Sequence, residues 1–187
     1  LSIGVSIMQN AIQQTTIVDS KNPELLIIQT INYPTLNSYY TSANLPFQFT
    51  KWWSANLNLM GMFMEQRIYS NEAMRYNFMY RINAQTSFTL PKNFFIELDG
   101  HFFDGAVAGN TKIGRMGNMS ITFKKRMFDN KLTIALGVQN VVPLKQNITI
   151  EEPTFKRIMV MNQAWMRPSA KFSISYNFNS GKQFRAK

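Results

Sequence analysis

The stretch Met74-Arg75-Tyr76-Asn77-Phe78-Met79-Tyr80-Arg81-Ile82-Asn83-Ala84-Gln85-Thr86-Ser87-Phe88-Thr89-Leu90 carries one signal from end to end. Its even positions read Met, Tyr, Phe, Tyr, Ile, Ala, Thr, Phe, Leu, and its odd positions Arg, Asn, Met, Arg, Asn, Gln, Ser, Thr. Successive side chains of a strand point to opposite faces, so this period of two describes a ribbon with one apolar and one polar side. A helix of period 3.6 would scatter the same residues around its circumference. The run is long for a strand in a soluble protein, where about 5–6 residues is usual.

The pattern recurs on both sides of that stretch. Residues 39–49, 53–63, 94–103, 113–123, 132–138 and 171–178 alternate in the same way, and Leu1 to Leu26 follows more loosely. About eight strands result. One set of connections is tight: Thr50-Lys51-Trp52, Pro91-Lys92-Asn93 and Asp129-Asn130, the last fitting a two-residue hairpin whose central residues favour Asn, Asp or Gly. Facing residues must share a face, which sets the register as Phe47 with Ala55, Phe88 with Ile96, and Ile121 with Val138. The other set is longer and more polar: 19–24, 70–73, 105–112 and 142–154. Short turns at one end and long loops at the other describe an up-and-down antiparallel sheet.

The chain has 187 residues, 20 Lys+Arg against 10 Asp+Glu, one His and no Cys. The missing cysteine excludes a disulfide scaffold and any thiolate metal site. No run approaches the ~18 apolar residues of a membrane-spanning helix. A net charge of +10 invites a nucleic-acid reading. The basic residues, however, sit at turns (Lys51, Lys92, Lys124, Lys125, Arg126) and in longer connections (Lys21, Lys112, Arg115, Lys145, Lys156, Arg157), not on one stripe. A nucleic-acid binder concentrates them, so acidic lipid headgroups are the better match. The chain opens in mid-pattern at Leu1-Ser2-Ile3, which reads as a mature piece or a fragment.

Alternation alone leaves open whether the apolar face looks inward or outward. A soluble barrel would hide it and show an outer face rich in charge. Here the polar face is mostly Asn, Gln, Ser, Thr and Met, and only 16% of residues are charged. Aromatics also cluster near both ends of the apolar face, as Tyr39 and Phe49, Trp53 and Phe63, or Tyr76 and Phe88. Apolar bands between aromatic girdles are what a bilayer requires of a barrel exterior. The fold class expected is therefore all-β: an antiparallel up-and-down transmembrane β-barrel in the bacterial outer membrane.

Four segments now resemble the C-terminal part of the TonB-dependent receptor and outer-membrane β-barrel families common in Bacteroidetes. They are Asn44-Leu45-Pro46-Phe47 running into Lys51-Trp52-Trp53, and Pro91 to Leu98. Phe123 to Thr133 and Lys171 to Phe178 complete the set. The chain departs from the family pattern at Gln139-Asn140-Val141-Val142 and at Tyr176-Asn177-Phe178-Asn179. The resemblance implies that these strands close a larger barrel, of 22 strands in such transporters. It also implies a plug domain and a TonB-type energy-coupling protein as partners in the parent protein. The expected setting is a lipid bilayer with lipopolysaccharide, with an outer-membrane lipoprotein as a further partner. No nucleic acid, cofactor, metal or catalytic residue is expected. Phe178, an aromatic at the end of the last strand, resembles the signal read by the barrel-assembly machinery, and an interfacial anchor is the simpler role for it.

Glu97, Asp99 and His101 share the polar face at i, i+2, i+4, and Arg75 and Arg81 lie on that face of the preceding strand. These five are the lumen-facing candidates. Charged lumen residues ordinarily pair, contact a plug or tune selectivity, and a lone His without a nucleophile motif is poor evidence for catalysis. Met60, Met62, Met64 and Met79 fall on the same face. Thioethers bind soft metals, but flexible packing against a plug or loop is the preferred reading. In the long loop after Val142, Trp165 and Arg167 are nominated as ligand contacts, because loops on a rigid scaffold carry recognition.

The organisation expected is barrel wall over 1–178 and a polar, basic periplasmic tail over 179–187. The expected function is the C-terminal barrel segment of a TonB-dependent receptor-type transporter for a bulky nutrient. A complete eight-stranded small barrel with a structural or adhesion role, or a soluble ligand-binding barrel, are the alternatives.

Overall fold

The computed structural model describes residues 1–19, 21–22, 24–142, 146–152, 155–161 and 167–178. Eight strands form one antiparallel sheet: β1 (Ser2–Val18), β2 (Leu26–Gln48), β3 (Trp53–Arg67), β4 (Arg75–Leu90), β5 (Phe94–Phe103), β8 (Met116–Met127), β9 (Leu132–Gln139) and β12 (Ser169–Tyr176). Their spatial order is their sequence order. A second sheet of four short strands, in the order β11-β10-β7-β6, is made of β6 (Ala106–Ala108), β7 (Thr111–Ile113), β10 (Gln146–Glu152) and β11 (Phe155–Met161).

The three registers expected from the turns are the observed ones: Phe47 faces Ala55, Phe88 faces Ile96, and Ile121 faces Val138. At the turn after Leu90, Lys92 and Asn93 both take φ near +60°. The turn after β8 is longer than the two residues expected. Met127 still pairs with Leu132, and Phe128, Asp129 and Asn130 all adopt positive φ between them.

Two expectations from the alternation need correcting. Residues 105–112 and 142–154 are not simply loops, since parts of both are drawn into the second sheet. The weak pattern of the opening segment has a local cause as well. In the β1–β2 ladder Gln9 faces Thr35 and Ala11 faces Tyr33, while Asn10 and Pro34 between them stay unpaired. Proline has no N–H to offer the ladder, and Asn10 sits at φ +53°. Below this step the most exposed apolar residues of β1 are at odd positions, Ile3, Val5 and Ile7, with Met8 less so, and above it the most exposed is Ile12. The alternation therefore slips phase by one residue within a single unbroken hairpin.

Strand lengths differ across the sheet. β2 runs for 23 residues and β9 and β12 for 8 each. Long strands lie on one flank and short ones on the other. The last two fall below the ~9–11 residues of a full bilayer crossing.

Candidate functional site

The register stacks the apolar residues of successive strands into rows. Trp53 faces Phe88, which faces Ile96; Phe63 faces both Tyr39 and Phe78. The lower row is a ring stack, with Phe49 and Trp53 centroids 4.2 Å apart and Trp53 and Phe88 5.9 Å apart. The Trp53 indole N–H donates to Thr86 Oγ1 at 2.9 Å, so its polar edge is satisfied. Along β3 the two rows are ten positions apart, Trp53 to Phe63, as they are along β4 from Phe88 to Phe78. Ten residues rise about 33 Å. Tilted by about 40° they span the ~25 Å apolar band of an outer-membrane barrel.

This face stays outside. Phe78 is 64% exposed, as is Phe172, and Ile174 and Ile3 are also open. Phe78, Leu98 and Ile134 lie on different strands of this one face instead of meeting in a core. A continuous apolar surface on this scale does not survive in water without a partner.

The opposite face is ruled by amides and hydroxyls towards the tight turns. One row reads Asn44, Asn58, Asn83, His101, Asn118 across five strands. The next reads Pro46, Asn56, Gln85, Asp99, Ser120, and the one below it Gln48, Ser54, Ser87, Glu97, Thr122. Towards the long connections the same face changes character. Its rows become Ser42, Met60, Arg81, Phe103, Met116, then Tyr40, Met62, Met79, then Ser38, Met64, Asn77.

Over this upper part sits the four-stranded sheet, here called the cap. The β6–β7 turn reaches from the end of β5 to β1 and β3. Asn110 Oδ1 accepts the Thr16 N–H at 3.0 Å, and the Asn110 amide donates to the Thr16 carbonyl. Gln66 Nε2 donates to the Gly109 carbonyl at 2.9 Å, and the Thr16 and Thr111 hydroxyls lie 3.3 Å apart. Gly109 has φ +62°, and a Cβ there would fall 2.1 Å from the Tyr33 hydroxyl, so the approach requires glycine. Arg157 of β11 donates to the Glu24 carbonyl at 3.1 Å. Among the described residues the buried apolar side chains are Tyr33, Leu36, Met64, Ile68, Ala135 and Ile150. All but Ala135 belong to the cap or to the upper β2–β3 region. The cap spans the polar face as a chord, because β5 stands four strand spacings from β1, about 19 Å.

The sequence of residues 1–176 matches the profile of the outer membrane protein beta-barrel family. The chain belongs to that family. No curated protein and no solved structure matches the chain. As an outer membrane beta-barrel family protein of the bacterial outer membrane, it turns its aromatic-banded face to lipid, and the amide-lined face is left for the interior.

The five charged candidates all sit on that interior face, and Glu97, Arg75 and Arg81 each meet a neighbour that is not another candidate. Glu97 pairs with Lys124 of the next strand. Arg75 pairs with Glu72 at 3.2 Å, and the Arg81 guanidinium lies 5.2 Å from the Phe103 ring centroid. His101 stands between Asn83 and Asn118, and Asp99 between Gln85 and Ser120. The Arg75 and Arg81 charges are thus not brought against Glu97 or Asp99. Among the described residues no group of three or more His, Cys, Asp and Glu is placed to hold a metal. The Arg167 carbonyl accepts from Asn140 Nδ2 at 3.3 Å at the entry to β12. Trp165 and the tail 179–187 lie outside the described residues. Phe178 follows β12, is 83% exposed, and meets Tyr176 edge-on at 4.6 Å.

The residues that sequence reasoning missed are Asn110, Gln66, Thr16 and Gly109. The Gly-Asn pair between short β-prone runs was a turn signal. Nothing in it announced which wall the turn would meet.

Proposed function

We propose that this chain is the C-terminal wall of a larger outer-membrane barrel of the TonB-dependent receptor type, through which a bulky nutrient enters a cell of the Bacteroidetes kind. One observation carries the reading. The eight-stranded sheet is open, with β1 of 17 residues at one edge and β12 of 8 at the other, unpaired with each other among the described residues. In hydrocarbon every unpaired N–H and C=O costs several kcal/mol, and β12 could cover only about half of β1. Further strands alongside β1 answer that cost. The exposure of Asn58, Asn83 and Gln85 supports the same view. Eight strands closed on themselves fill their interior with side chains, and these amides would then be buried.

On this reading the strands supply wall and mouth while a plug, driven by a TonB-type partner, supplies the gate at the other end. Lipopolysaccharide surrounds the wall, and an outer-membrane lipoprotein docks at the mouth. The test is the size of the native product. An antibody raised against residues 1–187 should detect, in outer membranes, a heat-modifiable band far above 21.6 kDa. A heat-modifiable band near 21.6 kDa would replace this reading with that of a complete small barrel having a structural or adhesion role.

A further inference from the structure

The cap and the wall are separate ladders. No described strand of the four-stranded sheet pairs with any strand of the eight-stranded one. The cap could therefore leave without breaking a hydrogen bond of the wall ladder. The hydrogen bonds that hold it down at the hairpin tip are local: Asn110 bridging the Thr16 N–H and carbonyl, Gln66 on the Gly109 carbonyl, and the Thr16–Thr111 hydroxyl pair, with Arg157 on the Glu24 carbonyl from β11.

Polar contacts of this kind exchange for water at a modest net cost when they open. A joint built from apolar side chains on both sides would not. Here the apolar side chains beneath the cap come from the wall, and Ile150 is the buried apolar side chain that the cap itself contributes among the described residues. The joint is also imperfect: the buried Thr15 hydroxyl has no hydrogen-bond partner among the described residues.

The base of the β6–β7 hairpin is narrow and bounded by two glycines. It leaves β5 through Gly105, at φ +126°, and rejoins β8 through Gly114. Just outside these glycines Asp104 and Arg115 are joined at 2.7 Å, which ties the two chain crossings together on the wall side. A few terminal positions that absorb the backbone change are what a hinge needs.

We propose that the four-stranded sheet is a hinged lid over the interior face, latched shut here by Asn110 and Gln66, and that it swings out along the flank where its strands join β5, β8, β9 and β12, with Gly105 and Gly114 bounding the first of these joints, to admit a solute. The purpose rests on the transporter reading, but the motion does not. A protein that proved to transport nothing would leave the measurement below unchanged, so the two ideas fail separately.

The chain contains no cysteine, so introduced thiols are the only ones it contributes. Asn77→Cys places a reporter opposite the buried Met64, on the face over which the cap lies. In the full-length protein in its membrane, labelling of this thiol by a bulky maleimide polymer should be slow. Adding Asn110→Ala and Gln66→Ala should speed it by about tenfold or more, the scale of two or three lost hydrogen bonds. A second reporter, Ser87→Cys near the tight turns of the same face, should respond far less. Equal rates at position 77 with and without the latch would overturn the proposal.

A companion variant guards against a misfolded one. Thr16→Cys with Thr111→Cys replaces hydroxyls 3.3 Å apart and should form a disulfide on oxidation. Backbone hydrogen exchange should then slow together across β6, β7 and β10, and recover with reductant. Slowing confined to the residues beside the crosslink would mean that the cap is a fixed part of the wall.

Discussion

The two ends of the eight-stranded sheet solve different problems with the same alternation. Near the tight turns the interior face carries rows of Asn, Gln and Ser, the outer face carries stacked aromatics, and Ala135 is the buried apolar side chain there among the described residues. Near the long connections that interior face turns to Met, Phe and Tyr, and a second sheet lies over it. The lower end is held by lipid outside and backbone ladders within, and the upper end by side-chain burial under the cap. The difference teaches that one ribbon can be stabilised by two solvents, and that a substitution should be judged by which of them it meets.

The sharpest break compares neighbours. Leu57 and Asn58 sit midway between the aromatic rows on opposite faces. Leu57→Arg should cost about 2–4 kcal/mol, the cost of a cation on the lipid side near the bilayer centre. Asn58→Arg should cost much less, and urea unfolding from lipid vesicles measures both. Equal costs would mean that the faces are assigned wrongly.

At the upper end, Gly109→Ala should destabilise the cap by about 1–3 kcal/mol, because the backbone is left-handed and Tyr33 fills the space. Hydrogen exchange should place that loss in β6 and β7 and spare β3 and β4. Trp53→Ala, at the lower girdle, removes a ring stacked on Phe49 and Phe88 and should cost about 0.5–1.5 kcal/mol beyond its lost area, read by the same urea titration. The smallest effect is expected from Arg115→Ala. Its guanidinium is largely exposed in the pair with Asp104, and pairs open to water on one side contribute little. Thermal unfolding should not shift measurably.

Much of the wall could be read from the chain because alternation and turn chemistry are local. Phe47 with Ala55, Phe88 with Ile96 and Ile121 with Val138 follow from counting outward from each turn while keeping like faces together. The cap was not legible in that way. Ala106-Val107-Ala108 and Thr111-Lys112-Ile113 are three-residue strands, too short to show a period, and their neighbours come from residues 146–152. The charged candidates shared a face as their parity required. Glu97 meeting Lys124, however, depends on which strand stands beside β5, and no spacing within a strand states that.

The Asn10–Pro34 step has a consequence that reaches beyond its own hairpin. By shifting parity once, it directs Tyr33 towards the interior, where the phenol donates to the Gln14 carbonyl and occupies the hollow that Gly109 enters. Had β2 kept strict count, Tyr33 would have faced the surroundings and the hairpin tip would have found an empty berth. A missing amide hydrogen in one strand and a missing side chain in a distant turn are thus two halves of a single fitting.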